Sequence, residues 1–541
     1  MSIQNERSVS KWPFTFYAAV CLLAAWTLFY NLGDRLLWSD EAESALLAVN
    51  ITQYGIPRTV DGRNHLTLHG ADVDGNAQQV WVWSPWADEY LAALSFLVFE
   101  PSTVSARLPF AGIGLLSVVL LGRLTYRLFE SHASAVTAML LYATNVAFLL
   151  HARQCRYYAL LMAAQIVLVS GYFDLSQRRG RIGSVQVMAA LALQFYCNYI
   201  VIVGNVLALV AAALVGRRGR RGLMSWAAAS LLGAGSLAVP WLLYAQPAAG
   251  QAQEIGRQSW GATLWYYLSE LNLHVLPVIV LLIPAIAYLF RLLRGRRPES
   301  APAAVSGPSA DSMHTLTFCW LMLPCHLALV SLLPLPFFRY VTPLIPVLML
   351  LAAWILTMQV RVFWVRYALV AVLCLSNVLG AIVTLPMSGW RTIGMPYLQF
   401  VRGIVTPYRD RTEDLVAYVQ QHAGPDDTIL VMDPEFPLIF YTGRRIVDAR
   451  LTDNIERATD WVLTESGSGT DTYDPLLPPT AVSDRYDEVR IPVLKTRRGA
   501  SRPDPHFHEH FTAPQSTELV AYRLRDGSSS QEAQKSHRDR R

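Results

Sequence analysis

The fold is decided near the start of the chain, by the stretch WPFTFYAAVCLLAAWTLFYNLGDRLLWSDEA at residues 12–42. Its first part, Trp12–Gly33, contains no Asp, Glu, Lys or Arg. It is long enough to cross a bilayer, because a membrane span needs roughly 20 apolar residues. Two adjacent carboxylates, Asp40 and Glu41, follow shortly after it. The stretch therefore predicts a membrane helix with an acidic pair just beyond its end.

Similar apolar segments recur along the chain, which is 53% hydrophobic and only 16% charged. Soluble proteins carry about 25% charged residues. The uncharged run 182–216 is too long for one span, so we expect it to break near Asn198. The sequence predicts a mainly α, polytopic membrane protein with about 11 transmembrane helices. These are expected near residues 12–31, 106–128, 133–151, 157–174, 183–198, 200–216, 223–244, 272–292, 315–335, 340–360 and 366–386.

Basic residues collect in alternate loops between these segments, at 123–127, 178–181, 217–221, 291–297 and 361–366. The positive-inside rule places all of these loops in the cytoplasm. The N-terminus is then cytoplasmic, whereas the first long loop and the chain after residue 386 are extracytoplasmic. The net charge of +5 therefore reflects membrane orientation, and we expect no nucleic-acid partner.

The first outer loop, residues 32–105, belongs to an expected membrane domain of residues 1–388 and predicts two amphipathic surface helices. Apolar residues follow Asp40 at helical spacing, and Gly55 provides a C-cap for the first helix. The second helix is expected over Trp86–Phe99, and the tryptophans beside it favour the membrane interface. Both helices are expected to lie on the bilayer rather than cross it.

The tail has the composition of a soluble protein, and residues 389–526 predict a small extracytoplasmic α/β domain. We expect a helix over Arg411–Gln421, a buried strand over Thr428–Met432 and a closing strand over Glu518–Leu524. Residues 527–541 are polar and predicted to be disordered.

The acidic pair Asp40-Glu41 has two interpretations. Asp40 at an N-cap with Glu43 three residues later resembles a capping box, which is a purely structural role. A carboxylate at a helix start is also held rigidly, which suits a general base. In that interpretation Asp40 takes a proton from an acceptor hydroxyl or amine, and Glu41 assists or binds the acceptor.

Arginines with neighbouring tyrosines lie at the expected outer ends of two spans. Arg153, Arg156 and Tyr157 form one group, and Arg339 and Tyr340 form the other. These arginines either extend to lipid phosphates or clamp a substrate phosphate. Positive charge on the outer side opposes the orientation rule, which favours the second interpretation.

Signals for metals and disulfides are weak. His65, His69, Asp72 and Asp74 could bind a divalent metal, but their spacing is not that of a tight site. A divalent metal is therefore left open, and no other cofactor is expected. The six cysteines lie in or beside apolar segments, so we expect neither a disulfide framework nor a zinc site.

Taken together, these motifs resemble the GT-C glycosyltransferases, membrane enzymes that use polyprenyl-phosphate sugars. The nearest branch contains the protein O-mannosyltransferases and the lipid A aminoarabinose transferase. The resemblance is carried, in order, by Trp38-Ser39-Asp40-Glu41-Ala42, Ala106-Arg107-Leu108-Pro109, Ala152-Arg153-Gln154-Cys155-Arg156-Tyr157-Tyr158, Arg339-Tyr340-Val341-Thr342-Pro343 and Phe440-Tyr441-Thr442-Gly443-Arg444.

The resemblance implies a GT-C fold and an inverting sugar transfer at a bacterial inner membrane. Asp40 would act as the base, while Arg153, Arg156 and Arg339, with Tyr157 and Tyr340, would bind the donor phosphate. The implied partners are a polyprenyl-phosphate sugar, the bilayer, and a lipid, glycan or protein acceptor. One motif departs, because the aminoarabinose branch has Lys-Pro-Pro where this chain has Trp83-Ser84-Pro85-Trp86.

Two other functions compete with a transferase. A transporter or flippase of a lipid-linked substrate would also need basic residues, but it would more often carry mid-span charges and repeated halves. A non-catalytic assembly protein would leave the combination of Asp40 with outer arginines unexplained.

Overall fold

The computed structural model divides the chain into two compact units. The first contains residues 1–32, 84–87 and 108–405, and the second contains residues 33–83, 88–107 and 406–541. Most of the first loop therefore groups with the C-terminal region, whereas the sequence-based boundaries placed it with the membrane domain. The described residues are 12–67, 74–215, 221–245, 259–284, 309–333, 336–360, 362–388, 393–407, 409–431, 435–448, 459–463, 485–495 and 515–525.

Helices make up most of the described chain. Up to residue 215 they are α1 (Trp12–Phe29), α2 (Ser39–Tyr54), α3 (Ala87–Phe96), α4 (Thr103–Phe129), α5 (His132–Ala143), α6 (Val146–Ala152), α7 (Tyr158–Ser176), α8 (Gly180–Cys197) and α9 (Tyr199–Val215). Beyond it they are α10 (Arg221–Ala245), α11 (Trp260–His274), α12 (Ala310–Val330), the 3-10 helix Phe338–Val341, α13 (Leu344–Trp354), the π turn Ile355–Gln359, α14 (Phe363–Leu375), α15 (Val378–Ser388), α16 (Pro396–Val405), α17 (Arg411–His422) and α18 (Glu435–Thr442).

The apolar helices confirm a mainly α membrane protein. Among the described residues, four helices are long and apolar enough to cross a bilayer, or six if each of two bent pairs is one span. Several shorter apolar helices accompany them. The expected count of eleven spans is not confirmed.

Breaks in the helices follow polar residues that cap them. The predicted break at Asn198 is confirmed, since α8 ends at Cys197 and α9 begins at Tyr199. The single helix predicted over 133–151 is wrong, because α5 and α6 meet at an angle of 64°. There the Asn145 side chain accepts a hydrogen bond from the Phe148 N–H and caps α6.

A second break interrupts the span predicted over 366–386. The chain leaves helix at Ser376, where the hydroxyl donates to the Gly394 carbonyl at 3.0 Å. The Gly394 N–H donates to the Asn377 side chain at 2.8 Å. These bonds to a distant glycine replace the helical ones, so α14 and α15 are separate helices.

In the second unit, α2 is a buried helix rather than the expected surface helix. Ten of its residues are buried, including Glu41, Glu43 and Leu47. The reason is that α18 from the C-terminal region packs against it. Its predicted end is confirmed, because Gly55 has a positive φ of 76° and its N–H bonds to the Ile51 carbonyl. The second predicted helix is present as α3.

The C-terminal region forms the predicted α/β fold around a five-stranded sheet in the order β2-β1-β3-β5-β4. Its strands are β1 (Thr428–Val431), β2 (Arg445–Asp448), β3 (Trp461–Leu463), β4 (Tyr486–Lys495) and β5 (Gln515–Leu524). The predicted helix at Arg411 and the strand at Thr428 are confirmed. The predicted closing strand is β5, which lies inside the sheet because β3 and β4 pair with its two edges. Residues 527–541 lie outside the described residues.

Candidate functional site

Asp40 lies in the first turn of α2 in the second unit. The helix begins at Ser39 with Trp38 as its N-cap, and Trp38 makes no side-chain capping bond. The predicted capping box is therefore wrong, because Asp40 is already the second helical residue. Asp40 is partly exposed. A carboxylate in this first turn is stabilised by the positive end of the helix dipole.

Glu41 has a different environment from its neighbour, since its side chain is fully buried. It forms a bidentate ion pair with Arg107, with Nε to Oε1 at 2.9 Å and Nη2 to Oε2 at 2.6 Å. Two parallel bonds of this kind fix both side chains in one orientation. Both carboxylate oxygens of Glu41 bond Arg107, so this ion pair gives Glu41 a structural role beside Asp40.

Arg107 also holds the chain that leads into α2. Its Nη1 donates to the Arg35 carbonyl at 2.8 Å, and its Nη2 donates to the Leu36 carbonyl at 3.1 Å. In the sequence, Arg107 appears only as part of the Ala106-Arg107-Leu108-Pro109 motif. The available signal was an arginine in the first turns of an apolar helix, since such charges are rarely without a role.

A second cluster lies in the first unit and joins Arg156, Tyr157, Arg339 and Tyr340. Arg156 and Tyr157 precede α7, while Arg339 and Tyr340 belong to the 3-10 helix. Tyr157 interacts electrostatically with Arg339, Arg156 and Tyr340. Two groups of residues far apart in the sequence are therefore brought together, and we name them the arginine–tyrosine cluster.

Aromatic rings hold the guanidinium groups of this cluster. The Arg339 guanidinium carbon lies 4.3 Å from the ring centroid of Phe337 and 5.8 Å from that of Tyr340. The Arg156 guanidinium carbon lies 5.5 Å from the ring centroid of Tyr157. Such cation–π contacts contribute about 0.5–2 kcal/mol each and hold a guanidinium by its face.

The backbone of the 3-10 helix is fixed from two sides. The buried His326 contacts the Tyr340 carbonyl through Nε2 at 2.7 Å. The Thr342 hydroxyl donates to the Arg339 carbonyl at 2.8 Å. Phe338 is buried, and its ring packs near those of His151 and His274. The position of Arg339 is therefore set by packing rather than by a mobile loop.

Tyr267 of α11 is a further neighbour of the cluster that the sequence did not predict. It is fully buried and interacts electrostatically with Tyr340 and Arg339. Asn198 adds another contact, since its amide donates to the Tyr157 hydroxyl at 3.1 Å. The predicted break at Asn198 thus delivers a polar group to the cluster.

Arg153 is placed differently from Arg156 and Arg339. Its Nη1 donates to the carbonyls of Thr27 and Leu28, and its Nη2 donates to those of Tyr30 and Asn31, at 2.7–3.2 Å. These carbonyls surround the C-terminal end of α1, where a helix leaves acceptors without internal partners. Its guanidinium is engaged there, so a phosphate would compete with four existing bonds.

The candidate metal ligands can be located only within the described residues. The described residues contain no group of three or more His, Cys, Asp or Glu that could hold a metal ion. Of the four residues singled out in the sequence, His65 and Asp74 belong to this part, whereas His69 and Asp72 lie outside the described residues.

Comparisons with known proteins place this architecture. No family model matches the sequence, and no curated protein matches it either. ArnT from Cupriavidus metallidurans, in a crystal structure bound to undecaprenyl phosphate, superposes with a TM-score of 0.53 at 14% identity, over 82% of this chain and 86% of that chain. Its apo structure gives a TM-score of 0.53 at 16% identity, over 81% and 85%.

A cryo-EM structure of the arabinosyltransferase EmbB from Mycobacterium smegmatis gives a TM-score of 0.36 at 16% identity, over 64% of this chain and 30% of that chain. ArnT is the lipid A aminoarabinose transferase of the branch that the sequence motifs resemble. At such low identity, the similarity to ArnT over most of both chains establishes the fold. The chain therefore has the fold of the GT-C membrane glycosyltransferases.

Proposed function

We propose that this protein is an inverting glycosyltransferase that moves a sugar from a polyprenyl-phosphate donor to an acceptor. The observation that carries the proposal is the arginine–tyrosine cluster, in which Arg156 and Arg339 converge in a GT-C fold. The ArnT structure with undecaprenyl phosphate supports a lipid phosphate as the ligand class. A guanidinium group carries the positive charge and the planar pair of donors that suit a phosphate.

In this proposal the arginine–tyrosine cluster binds the donor phosphate. Arg156 and Arg339 act as its principal ligands, and Tyr157 and Tyr340 support them. Arg153 takes a lesser part, because it already bonds the end of α1. As the sugar leaves, negative charge builds on the phosphate, and cations already in place stabilise it without reorganising.

Asp40 is proposed as the general base. The acceptor's hydroxyl or amine attacks the anomeric carbon of the sugar, and the bond from that carbon to the phosphate oxygen breaks. The electron pair leaves with the polyprenyl phosphate, and the acceptor's proton passes to Asp40. Attack opposite the leaving group inverts the anomeric centre. Glu41, fixed by Arg107, supports Asp40 from the next position of α2.

The proposed setting is a bacterial inner membrane with the reaction on the extracytoplasmic side. Support comes from the basic loops, which the positive-inside rule assigns to the cytoplasm. Both Asp40 and the arginine–tyrosine cluster then belong to segments on the opposite side. The acceptor is a lipid, a glycan or a protein.

The test is an incubation of the purified protein with a panel of polyprenyl-phosphate sugars and an acceptor extract. The expected result is release of free polyprenyl phosphate together with a glycosylated product of inverted anomeric configuration. A parallel incubation with a chelator shows whether a divalent ion is needed. Binding of the donor without any release, combined with movement of labelled donor across vesicles, would instead support the transporter alternative.

A further inference from the structure

The chain segment just before α2 is irregular but buried. Residues 36–38 have no regular secondary structure, yet Leu37 and Trp38 are buried. Buried backbone groups that make no helix or sheet bonds need other partners. Arg107 supplies partners for the carbonyls of Arg35 and Leu36. The N–H of Leu37 needs a different one.

Tyr441 of α18 supplies it. The Leu37 N–H donates to the Tyr441 hydroxyl oxygen at 2.8 Å. The same hydroxyl bonds the Thr103 hydroxyl at 2.7 Å. The oxygen of Tyr441 is therefore held between the segment before α2 and the first residue of α4. All three residues belong to the second unit.

The contact has a direct structural consequence for Asp40. Leu37 is followed by Trp38, whose carbonyl accepts the first helical bond of α2, from the Ala42 N–H at 2.9 Å. A shift of Leu37 is therefore passed to the first turn of α2, which carries Asp40. The two contacts to this segment, from Arg107 and from Tyr441, come from opposite ends of the sequence.

We infer that Tyr441 is a positioning residue for Asp40, through which the C-terminal α/β region sets the rate of transfer. The inference rests on the proposed function of Asp40 as the base. It adds a role for a residue that acts on the acid through the backbone before α2. Small displacements of a reacting group reduce rates by up to about 100-fold, so one hydrogen bond at this point has a large effect on turnover.

Burial of Tyr441 keeps its hydroxyl protonated. Burial raises its pKa above the ordinary value for tyrosine, while the bonds from Thr103 and Leu37 and the charge of Arg107 oppose the rise. The hydroxyl therefore remains a neutral donor and acceptor throughout the neutral pH range. The interaction with Arg107 also shows that both contacts belong to one network.

The experiment uses the full-length protein and the variant Tyr441→Phe, which keeps the ring and removes the oxygen. The expected result is a fall in kcat of about 10- to 100-fold, with the KM values for donor and acceptor unchanged within about twofold. Tyr418→Phe is the matched control, since it removes a tyrosine hydroxyl from the same region and its ring stacks on His422 instead. Tyr418→Phe is expected to keep the wild-type kcat.

Melting temperatures of both variants separate positioning from folding. A Tyr441→Phe enzyme that melts like Tyr418→Phe but keeps the wild-type kcat would overturn the inference. If Tyr441→Phe does not fold, Thr103→Val takes its place, because it removes one bond to the Tyr441 oxygen and leaves the bond from Leu37. Its expected kcat is about 3- to 10-fold below wild type, and an unchanged kcat would overturn the inference.

Asp40→Asn in the same assay distinguishes this inference from the proposed function. If the Asp40→Asn enzyme is active, Asp40 is not the base and both proposals are wrong. If the Asp40→Asn enzyme is inactive but the Tyr441→Phe enzyme is fully active, only the inferred role of Tyr441 is wrong.

Discussion

Arginines of two clusters in the molecule make different contacts. Before α2, in the second unit, Arg107 bonds a buried carboxylate and two backbone carbonyls. In the first unit, Arg156 and Arg339 lie over aromatic rings. Bonds to carbonyls fix a backbone, whereas a contact with an aromatic ring holds a guanidinium by its face. The first arrangement fixes the chain before α2. We propose that the second binds phosphate.

Arg153 makes both kinds of contact, since its guanidinium carbon also lies 5.9 Å from the ring centroid of Phe400. It lies three positions before Arg156 and belongs to the same motif. It nevertheless bonds four carbonyls at the end of α1. Three arginines that share one predicted role therefore divide into one that caps a helix and two that converge with tyrosines.

The largest expected effect comes from breaking the buried pair of the second unit. Arg107→Met leaves the carboxylate of Glu41 buried without its partner, which costs about 3–5 kcal/mol. We expect a large fall in melting temperature and loss of hydrogen-exchange protection in α2. Arg490→Met is the control, because Arg490 pairs with acids on an exposed surface and should change stability little. Equal melting temperatures for the two variants would contradict a structural role for the pair.

The next effect distinguishes the stacked arginines from the capping one. Arg339→Gln should weaken donor binding about 10- to 100-fold, since it removes a charge-assisted bond to phosphate. Arg153→Gln should lower the melting temperature and leave donor affinity within about threefold of wild type. Titration of both variants with a polyprenyl phosphate measures the difference. The reverse pattern, with Arg153 dominating affinity, would restore the role that the sequence alone gave to it.

The sequence predicted elements whose signal is local. The uncharged run around Asn198 required a break, and the strand at Thr428 and the helix at Arg411 follow from short patterns of apolar residues. The break at Asn145 was missed, because a single asparagine in an apolar run indicates a cap only once its partners are known. The burial of α2 was missed for a similar reason, since the helix that covers it comes from the far end of the chain.

The same distinction applies to the candidate site. Asp40, Arg156 and Arg339 are candidates because of charge next to apolar segments, a signal that one stretch of sequence contains. The sequence did not predict the pairing of Glu41 with Arg107, because these residues are 66 positions apart and many other partners were available. The contact of Tyr441 with Leu37, across 404 positions, had no local signal at all.

The smallest expected effect concerns another acid of the second unit, Glu413. Burial, followed by the nearby charges of Asp410 and Asp34, raises its pKa to about 7. The folded protein therefore holds this proton more tightly than the unfolded chain, whose carboxyl stays near 4.5. The resulting stability is complete below about pH 4.5 and is lost as the pH rises through about 7.

Because Glu413 is half-buried, the expected change is about 1 kcal/mol once solvent screening is included. Hydrogen-exchange protection of α17, corrected for intrinsic rates at each pH, measures it. Glu413→Gln should remove this pH dependence, whereas Glu518→Gln on β5 should keep it. A wild-type pH dependence in Glu413→Gln would show that a different group titrates.

In the proposed mechanism, the arginine–tyrosine cluster binds the donor and Asp40 performs the proton transfer. The most direct measurement determines donor affinity and turnover together in purified Asp40→Asn. We predict a wild-type Kd for the polyprenyl-phosphate sugar and a turnover reduced by about 100-fold or more. The surface variant Asp426→Asn should keep both, since its side chain is 92% exposed. Turnover at the wild-type rate in Asp40→Asn would contradict this mechanism.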